Sequence, residues 1–158
     1  MLKRRSTMAN LLAGAILATT ISHPTFATTS LNASIWFPET QPLARVGYVE
    51  WAKKVAAASN GDLNIKVFTD TTLLPVTAHL SGLRDGIVDI TYHAGTYTPS
   101  ELPEDNVLAS LGITLDDTLE TAFAVADFYI NDAQMQALFK RHKIVFLGAY
   151  ASIPYNLI

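Results

Sequence analysis

Leu83-Arg84-Asp85-Gly86-Ile87-Val88-Asp89-Ile90-Thr91-Tyr92-His93 contains a helix end, a glycine stop and a strand that finishes in polar and aromatic side chains. Gly86 suits the left-handed position just past a helix C-terminus. Ile87, Val88, Ile90 and Tyr92 are the β-branched and aromatic residues that a buried strand favours. In an open α/β sheet such a strand directs its last residues toward a binding crevice, although many helix-glycine-strand junctions are plain connections. Tyr92 and His93 alternate across the strand, so at most one of them faces a given side.

The same grammar occurs earlier, from Tyr48 to Phe68. Ala44, Tyr48, Trp51, Ala52, Val55 and Ala58 fall at three- and four-residue spacings on one face of a helix expected from about Leu43 to Ser59, with Glu50 and Lys54 on another. Gly61 stops that helix, and Leu63, Ile65 and Val67 alternate with Asn64 and Lys66 in the strand that follows. Upstream, Leu31 to Phe37 reads as a strand ended by Pro38, and Pro42 sits well in the first turn of the helix. Downstream, a helix from about Val76 to Asp85 carries His79, which has no metal partner at helical spacing and reads as a surface residue. The strand from Ile87 to His93 then gives way to the small-residue loop Ala94 to Pro99. Further helices are expected from Pro103 to about Gly112, from Asp117 with Leu119, Phe123, Ala126 and Ile130 on one face, and from Asp132 to about His142 with Met135, Leu138 and Phe139 inside. Lys143 to Tyr150 reads as a last strand.

The first residues read as an export signal rather than as part of the fold. Lys3, Arg4 and Arg5 form a basic region, Leu11 to Ile21 an apolar one, and Thr25-Phe26-Ala27 a small-residue cleavage site, with cleavage after Ala27. The apolar run falls short of the about 20 residues that span a bilayer. Ser6, Thr7 and Met8 match the twin-arginine pattern poorly, which favours the general secretory route. Without the three basic residues of the signal, eight Lys and Arg remain of 11 against 14 Asp and Glu, a net of −6. That balance argues against nucleic acid or an anionic membrane as partner. It leaves room for an anionic ligand held locally by an arginine or a helix N-terminus. With no cysteine, disulfides, thiolate metal sites and thiol catalysis are excluded, which suits a periplasmic protein that builds enough core without staples.

No catalytic constellation is present in the sequence. It contains no G-x-S-x-G, no H-E-x-x-H and no phosphate-cradling glycine loop, and its histidines are scattered at positions 23, 79, 93 and 142. The adjacent acid pairs Glu104-Asp105 and Asp116-Asp117 sit at helix starts, where capping and the helix dipole account for them. What remains is a set of aromatic and polar strand ends: Trp36, Phe37, Tyr92, His93, Tyr97, Tyr150 and Tyr155. Convergent aromatic groups with hydroxyls suit a small, partly apolar organic acid, offering shape, apolar contact and a few oriented hydrogen bonds. Taken singly, each reads as a core residue before it reads as a ligand-facing one. No cofactor and no metal site is expected.

Trp51, Ala52, Val55, Gly61, Ile65, Val67, Gly86, Val88, Asp89 and Ile90 together give the chain its resemblance. In order and spacing the chain from about Leu31 to Ile158 resembles the solute-binding subunits of TRAP transporters, typified by periplasmic dicarboxylate-binding proteins. The resemblance implies an α/β fold: the first lobe of a two-lobed periplasmic binding protein, with a mostly parallel sheet flanked by helices. It implies a signal peptide over 1–27, a first lobe over 28–142, and over 143–158 the start of a crossover strand toward a second lobe lying beyond the chain. It places ligand-facing groups at strand ends such as Trp36 and Phe37. The implied function is capture of a small organic acid in the periplasm for a TRAP membrane permease, by closure of two lobes and without chemistry. The family's carboxylate-gripping arginine falls after the segment matched by Lys143 to Tyr150, so this chain is expected to bind organic acids weakly or not at all. A sensory module for a membrane partner and a periplasmic α/β enzyme are the competing classes. Trp36, Tyr92 and His93 are expected near the ends of adjacent parallel strands, along one edge of an open groove.

Overall fold

The computed structural model describes residues 28–110 and 117–150. The expectations for residues 1–27, for the helix end at Leu111-Gly112 and for Tyr155 lie outside them. β1 (Thr29–Ser34) leads to α1 (Pro42–Ala44), which continues through a π-helical stretch, Arg45–Glu50, into α2 (Trp51–Ala58). β2 (Leu63–Phe68) follows, then a 3-10 turn over Val76–Ala78, α3 (His79–Arg84) and β3 (Ile90–Thr91). After a second 3-10 turn over Gly95–Tyr97 come α4 (Pro103–Ser110), α5 (Thr118–Asn131) and α6 (Ala133–His142).

The three strands form a parallel sheet in the order β2-β1-β3. The expected α/β class with parallel pairing is what the chain adopts. β1 is central and runs in register with β2 from Thr29 opposite Leu63 to Ser34 opposite Phe68. Alternate residues of a strand face opposite sides. Ala33 therefore packs with Ala52 and Ile65 beneath α2, while the next residue, Ser34, meets His79 of α3 on the other face. One helix thus covers each side of the sheet. Because the chain moves from β1 to β2 on one flank and then returns to β3 on the other, the C-terminal ends of β1 and β3 border a topological switch point.

Gly61 and Gly86 adopt φ of +87° and +70°, the left-handed turn both helix ends require. β3 is shorter than the strand expected over Ile87 to His93, for a local reason. The Ile87 and Val88 amides donate to the Gly82 carbonyl and are spent on the end of α3. Bonding to β1 starts only where the Asp89 amide donates to Asn32, and continues to the Tyr92 amide, which donates to Ser34. The Asp89 carboxylate accepts from the Asn32 amide at 2.8 Å, so the acid of the Gly-x-x-Asp motif extends the strand ladder by a side chain.

A second core lies among the helices. Met135, Leu138 and Phe139 form the buried stripe of α6 and pack with Leu80 of α3 and Leu102, with Tyr129, Ile144 and Phe146 against them. Asp132 ends α5 and caps α6, its carboxylate accepting from the Gln134 and Met135 amides at 2.9 Å each. Two expectations fail in this half. Leu119, Phe123 and Ile130, read as the inner face of α5, are 63 %, 67 % and 57 % exposed, while Thr121 and Tyr129 face inward. Residues 144–150 form no strand: β-branched and aromatic content favours a strand only where an edge is free to pair, and Ile144 and Phe146 pack on the helical core instead.

Candidate functional site

The loops that leave the C-terminal ends of the strands carry the aromatic residues. Two residues past β1, Trp36 stands at the centre of a group of rings. Its centroid lies 4.7 Å from Tyr92, edge to face, and 5.1 Å from Phe37. Tyr97 follows at 5.4 Å, also edge to face, and the His79 imidazole at 5.6 Å. Phe37 and Tyr92 are 5.7 Å apart, and Tyr150 reaches Tyr92 at 6.5 Å. These separations fall within the range where aromatic pairs attract through their quadrupoles, beyond simple burial.

The group is graded in exposure. Trp36, Phe37 and Tyr92 are half-buried, whereas Tyr97 and Tyr150 are 45 % and 53 % exposed and form the rim. The third strand end contributes backbone: the Asp70 amide donates to the Phe37 carbonyl at 3.0 Å, and Asp70 and Thr71 both take left-handed φ of 55°. Two consecutive non-glycine residues in that region are uncommon, and the β-branched Thr71 is strained there. Their bond holds the β2 exit against the turn that carries Trp36 and Phe37.

Of the residues expected at the site, Trp36, Phe37, Tyr92, Tyr97 and Tyr150 come together. His93 does not join them. As the strand alternation requires, it points elsewhere, its Nε2 lying 3.0 Å from Thr98 Oγ1 and 3.5 Å from Asp105 Oδ2. Tyr129 donates its hydroxyl proton to Asp105 Oδ1, so this buried carboxylate ties β3, α4 and α5 together. Burial pushes the His93 imidazole below its ordinary value, against the opposing pull of the Asp105 charge, and leaves it neutral at pH 7. Burial and the same carboxylate push the Tyr129 phenol up. Tyr48, inside the π-helical stretch, is likewise raised by burial and then by Tyr92, so its hydroxyl stays protonated.

His79 corrects the sequence reading. Expected on the surface, it has no exposed area, and its ring nitrogens engage Ser34 Oγ at 3.3 Å and the Tyr92 carbonyl at 3.0 Å. A lone histidine on a short helix carries no sequence signal for this. Its position three residues before Gly82, whose carbonyl accepts from the Ile87 and Val88 amides, is the nearest to one.

The arrangement offers a wall of π faces and hydroxyls. Among the described residues, no group of three His, Cys, Asp or Glu could hold a metal ion. Among the described residues, Lys66 Nζ lies over an aromatic face, 4.7 Å from the Phe68 centroid. Arg84 is engaged by Glu101 at 2.5 Å. Two surface grooves lie elsewhere, one between α5, α6 and residues 144–146 and one between α4 and α6 that includes Arg141. The first sets Phe139 and Phe146 beside Gln136 and Lys140, and the second has no aromatic lining, but neither lies at the strand ends where open α/β folds bind ligands, so the strand-end wall is the better candidate despite being open.

Known structures share this fold. A TRAP periplasmic solute-binding protein from Desulfovibrio salexigens is 24 % identical, with a TM-score of 0.63 over 73 % of this chain and 35 % of that one. One from Rhodoferax ferrireducens, in complex with copurified benzoate, is 21 % identical, with a TM-score of 0.62 over 72 % and 34 %. A marine metagenome TRAP solute-binding protein specific for aromatic acid ligands, in complex with 3-hydroxybenzoate, is 21 % identical, with a TM-score of 0.60 over 72 % and 35 %. The chain therefore spans about a third of the length of the structures it resembles, over which it has the fold of TRAP periplasmic solute-binding proteins. No family model and no curated protein matches it.

Proposed function

We propose that this chain contributes to the capture of a small organic acid in the periplasm and to its delivery to a TRAP-type membrane permease. The observation that carries this reading is the Trp36-centred ring group at the switch point of a parallel sheet, where open α/β folds bind ligands. Further support comes from solved structures of the same fold that hold benzoate, 3-hydroxybenzoate and pyroglutamic acid. Rings set edge to face offer contact to a planar or apolar body, and the tyrosine hydroxyls at the rim can donate to a carboxylate. A linear dicarboxylate presents two charged ends and little surface to such a wall, so acids carrying a ring are favoured over the dicarboxylates of the type family. Residues 1–27 serve as the cleaved export signal in this reading. The ligand is bound and released unchanged.

Three ring contacts worth about 1 kcal/mol each give about 3 kcal/mol, a dissociation constant on the order of several millimolar. Titration calorimetry and thermal midpoints against benzoate, 3-hydroxybenzoate, phenylacetate, succinate and malate test the proposal. Ring-bearing acids should raise the midpoint at millimolar concentration and Trp36→Ala should abolish the rise. Equal response to succinate would overturn the ring preference, and no response to any acid would overturn the binding function.

A further inference from the structure

Ser34, His79 and Tyr92 each bond to the other two. The Tyr92 amide donates to the Ser34 carbonyl at 3.3 Å, and His79 Nδ1 lies 3.0 Å from the Tyr92 carbonyl. His79 Nε2 lies 3.3 Å from Ser34 Oγ. A carbonyl oxygen can only accept, so Nδ1 carries the proton. In the neutral ring Nε2 is then the acceptor, and the Ser34 hydroxyl donates to it. The result is a closed ring of three hydrogen bonds that joins β1, α3 and the exit of β3. Both Ser34 and His79 are wholly removed from solvent. A second brace lies on the same strand ends, where Thr91 Oγ1 donates to the Ser34 carbonyl at 2.9 Å.

We infer that His79 is the positioning residue of the aromatic wall, holding the exits of β1 and β3 in one fixed relation through this closed loop. The inference rests on the wall as the ligand site and deepens that reading. Trp36 leaves β1 two residues after Ser34, and Tyr92 is itself a member of the loop, so the 4.7 Å edge-to-face contact between their rings is set by the loop's geometry. The imidazole also packs against Trp36, its centroid 5.6 Å from that of the indole and the two rings tilted by 41°. A buried imidazole with both nitrogens satisfied is a rigid spacer: an aliphatic side chain of like size would fill the space, yet it would take from the Tyr92 carbonyl its 3.0 Å donor and from the Ser34 hydroxyl its 3.3 Å acceptor, and so open the loop. Rigid placement matters here because a ring wall gains affinity from faces already aligned before the ligand arrives.

Two measurements that need no ligand test this. Long-range proton-nitrogen correlation at the imidazoles at neutral pH should report His79 as the Nδ1–H tautomer; an Nε2–H tautomer, or averaging between the two, overturns the inference. Near-ultraviolet circular dichroism of His79→Leu, in a Trp51→Phe background that leaves Trp36 as the sole indole, should lose the signal of the coupled rings while the far-ultraviolet spectrum is kept. His79→Asn, which can still donate to the Tyr92 carbonyl, should recover part of it. A His79→Leu protein with the parent near-ultraviolet spectrum overturns the inference. Should His79→Leu fail to fold, Ser34→Ala carries the test, with a reduced ring signal expected and an unchanged one contradictory. Acid binding is read separately: a wall with its parent ring signal that binds no acid sinks the proposed function and leaves His79's positioning role standing.

Discussion

Gly95→Ala tests the packing that seats one rim of the aromatic wall. Gly95 is buried at the start of the 3-10 turn that carries Tyr97, and its Cα faces the backbone of α4. A Cβ placed there would lie 2.5 Å from the Asp105 carbonyl carbon and 2.6 Å from both the Asp105 oxygen and the Asn106 nitrogen. Ordinary contacts of this kind are about 3.5 Å, so turn and helix must part by about 1 Å. All three obstacles are backbone atoms, and no side chain can swing aside to relieve them. Overpacking of this severity costs about 1–3 kcal/mol, or a thermal midpoint lower by roughly 3–10 °C for a domain of this size. The displacement also moves Tyr97 away from Trp36, now 5.4 Å distant, and Asp105 away from Tyr129 and His93. Urea unfolding followed in the far and near ultraviolet measures both effects. Gly148→Ala is the control, because nothing lies within 4 Å of its added carbon, and it should stay within about 0.5 kcal/mol of the parent. A Gly95→Ala protein that unfolds at the parent's midpoint would refute the close approach of turn and helix.

Three further outcomes are expected. His93, depressed below the ordinary 6.5 by burial and faced by Asp105, Glu101 and His79, binds fewer protons folded than unfolded, so its contribution is full above pH 6.5 and is lost as pH falls through the depressed value. The thermal midpoint should therefore drop between pH 7.5 and 5.5, less so in His93→Gln, and equal drops in the two proteins would contradict the assignment. Asp132→Ala removes the acceptor for the Gln134 and Met135 amides and should cost about 1 kcal/mol in chemical denaturation, with Asp132→Asn recovering most of it; no loss in the alanine variant would argue against the cap. Asp89→Ala leaves the Asn32 amide without its carboxylate and should cost about 1 kcal/mol, whereas Asp89→Asn, which keeps an acceptor, should cost less; the reverse order would show that charge rather than the ladder bond matters.

The sheet half of the molecule is legible because its signals are local. Glycines at helix ends need a left-handed turn wherever they occur, and alternation in Leu63 to Phe68 gives the strand its observed limits. The ring residues are legible as a set because parallel strands joined by helices bring their C-terminal ends to one edge, so Trp36 meets Tyr92 and Tyr97 although it is distant from both in sequence. Partner-dependent features are not legible. The face Leu119, Phe123 and Ile130 has helical period, yet a period names a face without naming what covers it, and α5 turns Tyr129 inward to Asp105 instead. Lys143 to Tyr150 has strand composition and pairs with no strand among the described residues. His79 is polar and solitary in the sequence, and only the tertiary meeting of Ser34 with Tyr92 gives a buried imidazole its two partners. Glu50, read on one helix face with Lys54, bonds Lys53 at 2.8 Å, the other of the two spacings at which a helix surface brings side chains together.

The central claim is that ring-bearing acids contact the wall formed by Trp36, Phe37, Tyr92, Tyr97 and Tyr150. Aromatic-resolved NMR of the chain titrated with benzoate to tens of millimolar (on the order of ten times the dissociation constant that three ring contacts give) tests it directly, because it registers which rings the acid touches. Shifts and intermolecular Overhauser effects should concentrate on the Trp36 indole and on the Tyr92 and Tyr97 rings, with succinate producing smaller ones. Benzoate shifts confined to the apolar groove of Ile130, Phe139 and Val145, or absent from Trp36 altogether, would contradict it.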